Sequence, residues 1–282
     1  MKLKVFSIIV LSLFIVGCGC GNGQTVEGDD ANMIDPNEEV VVIFNDENLE
    51  ALIREELEIQ EGDITSIDMQ GLYYLTINDI GVEDLTGLEY AINLLEFTLS
   101  RENVESLDPI KNLVNLERIR IAYTEIENLP LTFHEQVNLK QISIVGTIIE
   151  DVSFVEGMTN LDHLTMTDAG IKDISAMENL INIEQLNLRG NEIKEIDALS
   201  NMNALVYLNL QSNEISTIEP LEGLESLYDV VLSYNYVYNL KPLEDLPSLS
   251  EVTIYLNHDV KHLIFDHVSI LEEMGIDVSY NR

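Results

Sequence analysis

The chain repeats one apolar pattern every 22 residues, and this period restricts its possible folds more than its composition does. A single 23-residue step, between Leu116 and Leu139, interrupts the spacing. The units begin at Leu72, Leu94, Leu116, Leu139, Leu161, Ile183, Leu205, Leu227 and Leu249. A unit of this length cannot bury its own apolar side chains, so neighbouring units must stack to form a core. The period therefore predicts a solenoid.

The order of apolar residues within a unit specifies which solenoid this is. In the clearest copy the pattern runs Leu205, Leu208, Leu210, Asn213, Ile215, Ile218, Leu221 and Leu224. Its first half matches the L-x-x-L-x-L-x-x-N-x-L signature of leucine-rich repeats, in which each unit contributes one short parallel strand. We expect an α/β leucine-rich-repeat solenoid, with a curved parallel β-sheet on the concave face and an irregular or 3-10 convex side. Proline recurs on the return path, as Pro109, Pro220 and Pro242, where the missing N–H does no harm.

The ninth position of each unit divides the repeats into two halves. Asparagine occupies it in the last four units, as Asn191, Asn213, Asn235 and Asn257. An amide there can both donate to and accept from the backbone where the strand bends. The five upstream residues are Ile80, Glu102, Thr124, Thr147 and Ala169. Because Ile and Ala cannot make such bonds, we expect the N-terminal half to be less regular or more water-bridged.

Both ends of a solenoid need caps, since an open end exposes an apolar layer. We predict an N-terminal cap over residues 41–71, with Asn45 or Asp46 capping a helix whose apolar face carries Leu49, Leu52, Ile53 and Leu57. The repeats follow over 72–257. A C-terminal cap over 258–282 contains a helix with Phe265, Val268, Leu271 and Met274 inward, which Gly275 ends before Ile276 and Val278.

Four features of the chain occur together: the 22-residue unit, the return path Ile218-Glu219-Pro220-Leu221, the run from Asp84 to Glu89, and the cap sequence from Phe44 to Leu49. They resemble the internalin-type class of bacterial surface leucine-rich-repeat proteins. The resemblance covers about residues 41 to 260 and implies the fold, but it names no partner because the exposed residues of such proteins diverge. Unlike the best known internalins, this chain has an N-terminal lipoprotein sequence and no cell-wall sorting tail, so host-cell adhesion is not inferred from the fold.

The first 17 residues are typical of an export signal, with Lys2 and Lys4 ahead of an apolar run from Val5 to Val16. The sequence Ile15-Val16-Gly17-Cys18 resembles the bacterial lipobox, which implies lipidation of Cys18 and a protein facing outward from the bacterial cell envelope. Two or more acyl chains suffice as an anchor. The alternative is an ordinary signal peptide and a secreted protein. Residues 18–40 are acidic and poor in large apolar side chains, which predicts a disordered tether.

The charge of the chain restricts its partners. It has 51 Asp and Glu against 14 Lys and Arg, for a formal net charge of −37. A field of that sign repels nucleic-acid backbones, so we expect no nucleic acid among the partners. Solubility is the simplest explanation of the acidity, and attraction of a basic partner or of divalent cations is the alternative.

The third, fifth and seventh residues of each unit should face the concave side, because side chains alternate along a strand. Tyrosine and arginine, two types enriched at binding hot spots, recur in and beside these strands. The candidate partner-binding residues are Arg118, Arg120, Tyr123, His163, Arg189, Tyr207, Asp229, Tyr234 and Tyr255. We expect the tyrosine-rich C-terminal end to hold a protein or peptide partner, oriented by Arg118 and Arg120. Alternatively, these arginines pair with Glu96 and Glu117, and the tyrosines are ordinary exposed strand residues.

The sequence gives no support for catalysis. It contains no phosphate-binding glycine loop, no Gly-x-Ser-x-Gly and no Cys-x-x-Cys. The densest polar group in the C-terminal cap is His258, Asp259, His262, Asp266 and His267, which lacks a convincing set of metal ligands. We therefore expect a non-catalytic binding module without a cofactor or metal. An acidic structural or cation-buffering envelope protein is the alternative, and a metal-dependent enzyme is the third hypothesis.

Overall fold

A computed structural model of the chain describes residues 35–126, 129–130, 136–257 and 261–280, with side chains omitted for 261–265. The predicted Cys18 lipidation site, the export signal and most of the tether lie outside these ranges. Within them a single parallel sheet runs in sequence order from β1 to β10. Its strands are Tyr74–Asn78, Glu96–Ser100, Arg118–Ala122, Gln141–Val145, His163–Thr167, Gln185–Asn187, Tyr207–Asn209, Asp229–Val231, Glu251–Ile254 and Asp277–Tyr280. The predicted leucine-rich-repeat solenoid is confirmed.

The convex side consists of short 3-10 turns instead of helices. Those described are Leu88–Tyr90, Asp108–Ile110, Ser153–Val155, Ser175–Met177, Asp197–Leu199, Glu219–Leu221 and Lys241–Leu243. Pro109, Pro220 and Pro242 each lie inside one of these turns, as the sequence predicts. The α-helices in the described ranges are α1, Glu47–Glu56, α2, Ser66–Met69, and α3, Lys261–Glu273. No helix among the described residues is long and apolar enough to cross a membrane.

The N-terminal cap is attached to the first repeat by three consecutive residues. Asp46, rather than Asn45, caps α1, and its carboxylate also accepts a bond from the Glu83 N–H at 2.8 Å. Asn45 donates to the carboxylate of Asp84 at 3.0 Å. Phe44 covers Gly87, where a Cβ atom would lie 2.7 Å from the Phe44 ring. Two sequence phrases that resemble the internalin class are therefore the two sides of one contact.

Contacts of the cap start before residue 41. The Val40 N–H donates to the Ser66 hydroxyl at 3.0 Å, and this hydroxyl donates to the Glu38 carbonyl at 2.7 Å. Further upstream, the Gln70 amide donates to the Pro36 carbonyl at 2.6 Å. The segment 36–40 is thus bound to α2 and its C-terminal neighbour.

The four predicted asparagines form a buried ladder in the C-terminal half. The Asn191 side-chain oxygen accepts from the Ala169 and Ile171 N–H groups, both at 3.1 Å. Its amide donates to the carbonyls of Met166 and Leu188, both at 2.8 Å. Asn213, Asn235 and Asn257 make equivalent bonds to their own and the preceding unit. Each side chain thereby satisfies backbone groups that stacking has removed from water.

Among the described residues the strands of the N-terminal half are not the shorter ones, because β1 to β5 have five residues each while β6 to β8 have three. A less regular or more water-bridged N-terminal half stays a prediction. Glu102, which is 3% exposed, replaces the asparagine oxygen. Its carboxylate accepts the N–H groups of Ile80, Gly81 and Val82 at 2.8, 2.9 and 2.8 Å. In the third and fourth units, the buried Thr147 hydroxyl accepts from the Thr124 N–H at 3.2 Å.

A second amide ladder supports the same half from outside the core. An asparagine directly before each of five successive units donates to a backbone carbonyl about one repeat earlier in the chain, at 2.7 to 2.9 Å, and for the first asparagine this carbonyl belongs to the N-terminal cap. These residues are Asn93, Asn115, Asn138, Asn160 and Asn182. The outer ladder thus stops where the buried ladder starts, near Asn191.

The C-terminal cap differs from its prediction in two ways. Val268 and Leu271 are buried as expected, but Met274 is 51% exposed, so its inward assignment is wrong. Helix α3 ends at Glu273 and the chain reverses at Gly275, whose φ is 87°, so Ile276 takes the inward position instead. Residues after the turn then form β10, a tenth strand parallel to β9 that extends the concave sheet. The predicted Phe265 position lies among residues whose side chains are not described.

Candidate functional site: the concave face of the sheet

The alternation of the strands presents one polar row and one buried row in every unit. In β2, for example, Phe97 and Leu99 are buried while Glu96, Thr98 and Ser100 are partly exposed. Aligned pairing repeats this arrangement from strand to strand, with Thr98 opposite Arg120 and Arg120 opposite Ser143. The predicted concave residues thus form straight rows across the sheet, although Ala122, Thr167, Asn209 and Ser233 are buried within them.

A shallow depression of about 450 Å³ lies over β2 to β5. Polar side chains from four strands line it, namely Glu96, Thr98, Arg118, Arg120, Gln141, Ser143, His163 and Thr165. Phe97, Ile119 and Ile142 complete the lining. The structure therefore brings together three of the predicted site residues, Arg118, Arg120 and His163.

The two arginines of β3 differ in availability. Arg118 forms an ion pair with Glu96, as the alternative interpretation proposed, whereas Glu117 approaches Lys140 instead, at 3.8 Å. Arg120 is exposed and has no carboxylate within 4.0 Å among the described residues. Its neighbours in the same row are the hydroxyl residues Thr98 and Ser143. His163 holds its ring Nδ1 2.5 Å from the carboxylate of Asp162. Arg120 is thus the cation that this depression offers to a ligand.

The C-terminal end of the face has the opposite charge. Strand register places Asp229, Glu251 and Asp277 side by side on β8, β9 and β10. Burial, followed by the neighbouring carboxylate of Glu251, raises the pKa of Asp229. Tyr207 lies beside Asp229 on β7, and its hydroxyl accepts from the Asn209 amide at 3.3 Å. This end therefore combines carboxylates with an aromatic ring.

The eighth residue of every unit has a left-handed backbone, with φ between 50° and 74°. The row comprises Asp79, Arg101, Tyr123, Gly146, Asp168, Gly190, Ser212, Tyr234 and Leu256. Wherever another unit follows, the N–H of this residue donates to the seventh residue of that unit, as from Tyr123 to Val145 at 2.9 Å. The row is a ridge along one edge of the sheet, and Tyr123 and Tyr234 belong to it.

Arg101, Tyr123 and Gly146 contact one another along this ridge. The Arg101 guanidinium lies 5.6 Å from the centre of the Tyr123 ring, within the range of a cation–π contact. On its other side the ring lies over Gly146, where a Cβ atom would come within 2.5 Å. Arg189, also predicted for the site, lies 3.9 Å from the carboxylate of Asp168 in the same ridge. Tyr234 and Tyr255 are 49% and 37% exposed at the far end.

Of the five polar residues that the sequence offers in the C-terminal cap, the structure describes the side chains of two, Asp266 and His267. His267 contacts the carboxylate of Glu244 at 2.6 Å, Asp266 is exposed, and the side chains of His258, Asp259 and His262 are outside the described residues. Over the described ranges, no group of three or more His, Cys, Asp or Glu side chains is arranged to hold a metal ion.

Sequence reasoning missed three elements of the face. The left-handed ridge could have been found, because Gly146 and Gly190 occupy the eighth position in two units. Asp277 was missed because β10 lies outside the repeat period and joins the sheet only through the C-terminal cap. The difference between Arg118 and Arg120 depends on which side chain reaches Glu96, and spacing alone does not determine this.

Comparison with known proteins agrees with the fold. The family model described as leucine rich repeats, in two copies, matches residues 181–228. A comparison with curated protein sequences gives no match. The chain is similar to internalin C2 of Listeria monocytogenes, with 26% identity, a TM-score of 0.70, and coverage of 75% of this chain and 94% of that one.

Two further solved structures share the fold at lower identity. The internalin inlF of Listeria monocytogenes is 22% identical with a TM-score of 0.66, over 85% of this chain and 77% of that chain. The leucine-rich-repeat ectodomain of the Arabidopsis thaliana receptor kinase GASSHO1/SCHENGEN3 is 19% identical with a TM-score of 0.54, over 61% of this chain and 22% of that chain. The chain is thus a leucine-rich-repeat protein with an internalin-like fold.

Proposed function

We propose that this chain is an outward-facing lipoprotein of a bacterial cell envelope that binds a protein or peptide partner on its concave face, without catalysis. One observation carries the proposal most directly: rows of exposed polar and aromatic side chains stand on a sheet whose other side is fully buried. A scaffold fixed in this way loses little conformational entropy when it binds a partner.

Two further features support a partner of considerable size. The concave rows extend across ten strands, which at about 4.8 Å between strands is longer than a small molecule. The similar plant ectodomain was solved in complex with CASPARIAN STRIP INTEGRITY FACTOR 2, so a protein with leucine-rich repeats can bind a separate partner. Lipidation at Cys18 would keep the face at the outer surface of the membrane.

A pair of matched variants tests the binding face. Thr165→Trp places an indole in the middle of the concave rows, and Thr159→Trp places one at an exposed position outside the sheet in the same part of the chain. Full-length protein in detergent is immobilised and exposed to envelope and secreted proteins of the source bacterium. We expect a captured protein to be lost with Thr165→Trp and retained with Thr159→Trp.

The same experiment separates the proposal from the acidic-protein alternative. A protein that acts only through its net charge would capture equally well in both variants, because neither substitution changes charge. Equal capture by both variants, or no capture by the unmodified protein, would contradict binding on the concave face.

A further inference from the structure

The concave face carries opposite charges at two separate places. Within the described residues, Arg120 is the cation of the concave rows that has no carboxylate beside it, since Arg118 is paired with Glu96 and Arg189 approaches Asp168. The carboxylates of Asp229, Glu251 and Asp277 lie together at the other end of the sheet. Between them the third and fifth residues of the units carry uncharged side chains such as Gln141, Thr165 and Asn187, with His163, and the charge there at a seventh position is Arg189, which approaches Asp168.

Resting on the proposed function, we infer that the partner presents an extended segment carrying an acidic side chain and, about seven residues away, a basic side chain. The acidic group pairs with Arg120 over β3, and the basic group with Asp229 and Glu251 over β8 and β9. Sheet order gives the spacing. Five strand steps separate β3 from β8, about 24 Å, and an extended chain advances about 3.3 Å per residue.

The long-range charge of the protein gives the two ends different roles. A net charge of −37 attracts any basic segment and repels any acidic one, so a basic residue alone would bind without a fixed position. An acidic residue has a favourable place at Arg120, where the guanidinium can donate two hydrogen bonds to its carboxylate. Arg120 therefore sets the register of the segment, and the carboxylates of β8 and β9 hold its other end.

Tyr207 lies where the uncharged stretch meets the carboxylates. It is directly beside Asp229 in the register of β7 and β8. A guanidinium or ammonium group over Asp229 would also contact this ring, and such cation–π contacts strengthen when the cation loses water. The aromatic ring thus favours a cation at this end of the segment over an uncharged polar group.

A random library of displayed 12-residue peptides, selected on the full chain in detergent, tests the inference. We expect enriched peptides to carry Asp or Glu and Lys or Arg about six to eight positions apart. Arg120→Gln should lower the affinity for such a peptide at least about tenfold, the factor that corresponds to one charge-assisted hydrogen-bonded pair. It should also remove the preference for the acidic residue. Arg54→Gln is the control, because it removes the same charge from α1.

Two further variants examine each end separately. Asp229→Asn with Glu251→Gln should remove the preference for the basic residue and leave the acidic one, while Asp245→Asn with Glu222→Gln removes the same charge from exposed positions outside the sheet. Glu96→Gln releases Arg118 and should strengthen the binding of acidic peptides.

The outcomes distinguish this inference from the proposed function. Enriched peptides whose binding is lost with Thr165→Trp, but that lack the spaced charges, would overturn the inference and leave the proposal of concave binding intact. Enriched peptides that bind the Thr165→Trp variant as well as the unmodified protein would contradict both the inference and the proposed function. A selection that enriches nothing would also overturn the inference, because the library contains the segment it describes.

Discussion

Glu102 shows how one side chain can replace a structural asparagine. It lies in the ninth position of its unit and accepts three backbone N–H bonds from the preceding unit with a carboxylate that is almost entirely buried. An asparagine in this ladder also donates to carbonyls, which an ionised carboxylate cannot do. At this position the side chain that links the first two repeats only accepts hydrogen bonds, whereas the asparagines further along both accept and donate them.

We expect Glu102→Ala to destabilise the protein by roughly 3 kcal/mol, because it leaves three backbone donors without their acceptor, and the Val82 N–H among them is buried. Chemical denaturation monitored by circular dichroism measures this free energy. Glu105→Ala, at an exposed position nearby, is the control and should change it little. An equally small effect for Glu102→Ala would mean that water or another group satisfies these N–H groups.

Tyr234 allows binding to be separated from stability. Its backbone has a φ of 59°, a conformation in which glycine is less strained than tyrosine, and its ring is about half exposed. We expect Tyr234→Gly to leave the unfolding free energy within about 1 kcal/mol of the unmodified protein while it weakens capture of the partner. Undiminished capture would exclude Tyr234 from the binding face.

At the scale of elements, the N-terminal cap depends on Asp46. This carboxylate caps α1 and also binds the first repeat through the Glu83 N–H. Partial burial acts to raise its pKa, but the N–H donors of Glu83, Leu49 and Asn48 outweigh it, so the pKa of Asp46 lies below its usual value. Its ionised form is thus the one that stabilises the cap.

The lowered pKa fixes the direction of the pH dependence. The contribution of Asp46 is fully present above its unfolded value of about 3.8 and is lost as the pH falls through the lower folded value. We expect Asp46→Asn to cost about 1 kcal/mol at pH 7, because its amide nitrogen cannot accept the Glu83 N–H as the second carboxylate oxygen does, and to cost less below pH 3.8. Denaturation of both proteins from pH 7 to pH 3 measures this. A constant difference would show that the charge does not contribute.

The two amide ladders explain how repeats of unequal sequence stack into one sheet. The outer asparagines end at Asn182 and the buried ones begin at Asn191, so each junction in this region has at least one side chain that spans two units. Because contacts in a solenoid are made between neighbours, each junction must satisfy its own backbone groups. A loss at one junction cannot be offset at a distant one.

At the scale of the whole molecule, we expect the proposed lipid anchor at Cys18, and not the folded solenoid, to attach the protein to the membrane. We expect Cys18→Ala to abolish incorporation of an acyl-chain label and to release the protein from the membrane fraction, because the acyl chains supply the membrane affinity. Metabolic labelling with an alkyne fatty acid and fractionation measure both. Cys20→Ala is the matched control and should retain label and location. Labelled, membrane-bound Cys18→Ala protein would contradict the assignment.

The sequence alone was sufficient for the repeat, the curved parallel sheet, the ladder of four asparagines and most residues of the concave rows. It was sufficient because each of these follows from a short period or from alternation along a strand, and such patterns depend on local spacing. It also identified the capping region of α1, leaving only the choice between Asn45 and Asp46.

Tertiary structure decided the features that depend on contacts between units. It determined that Glu96 neutralises Arg118 and leaves Arg120 available, and that β10 brings Asp277 into line with Glu251. Each outcome depends on a contact between residues that are 20 or more positions apart in the chain, and residue type and spacing alone do not specify such a contact.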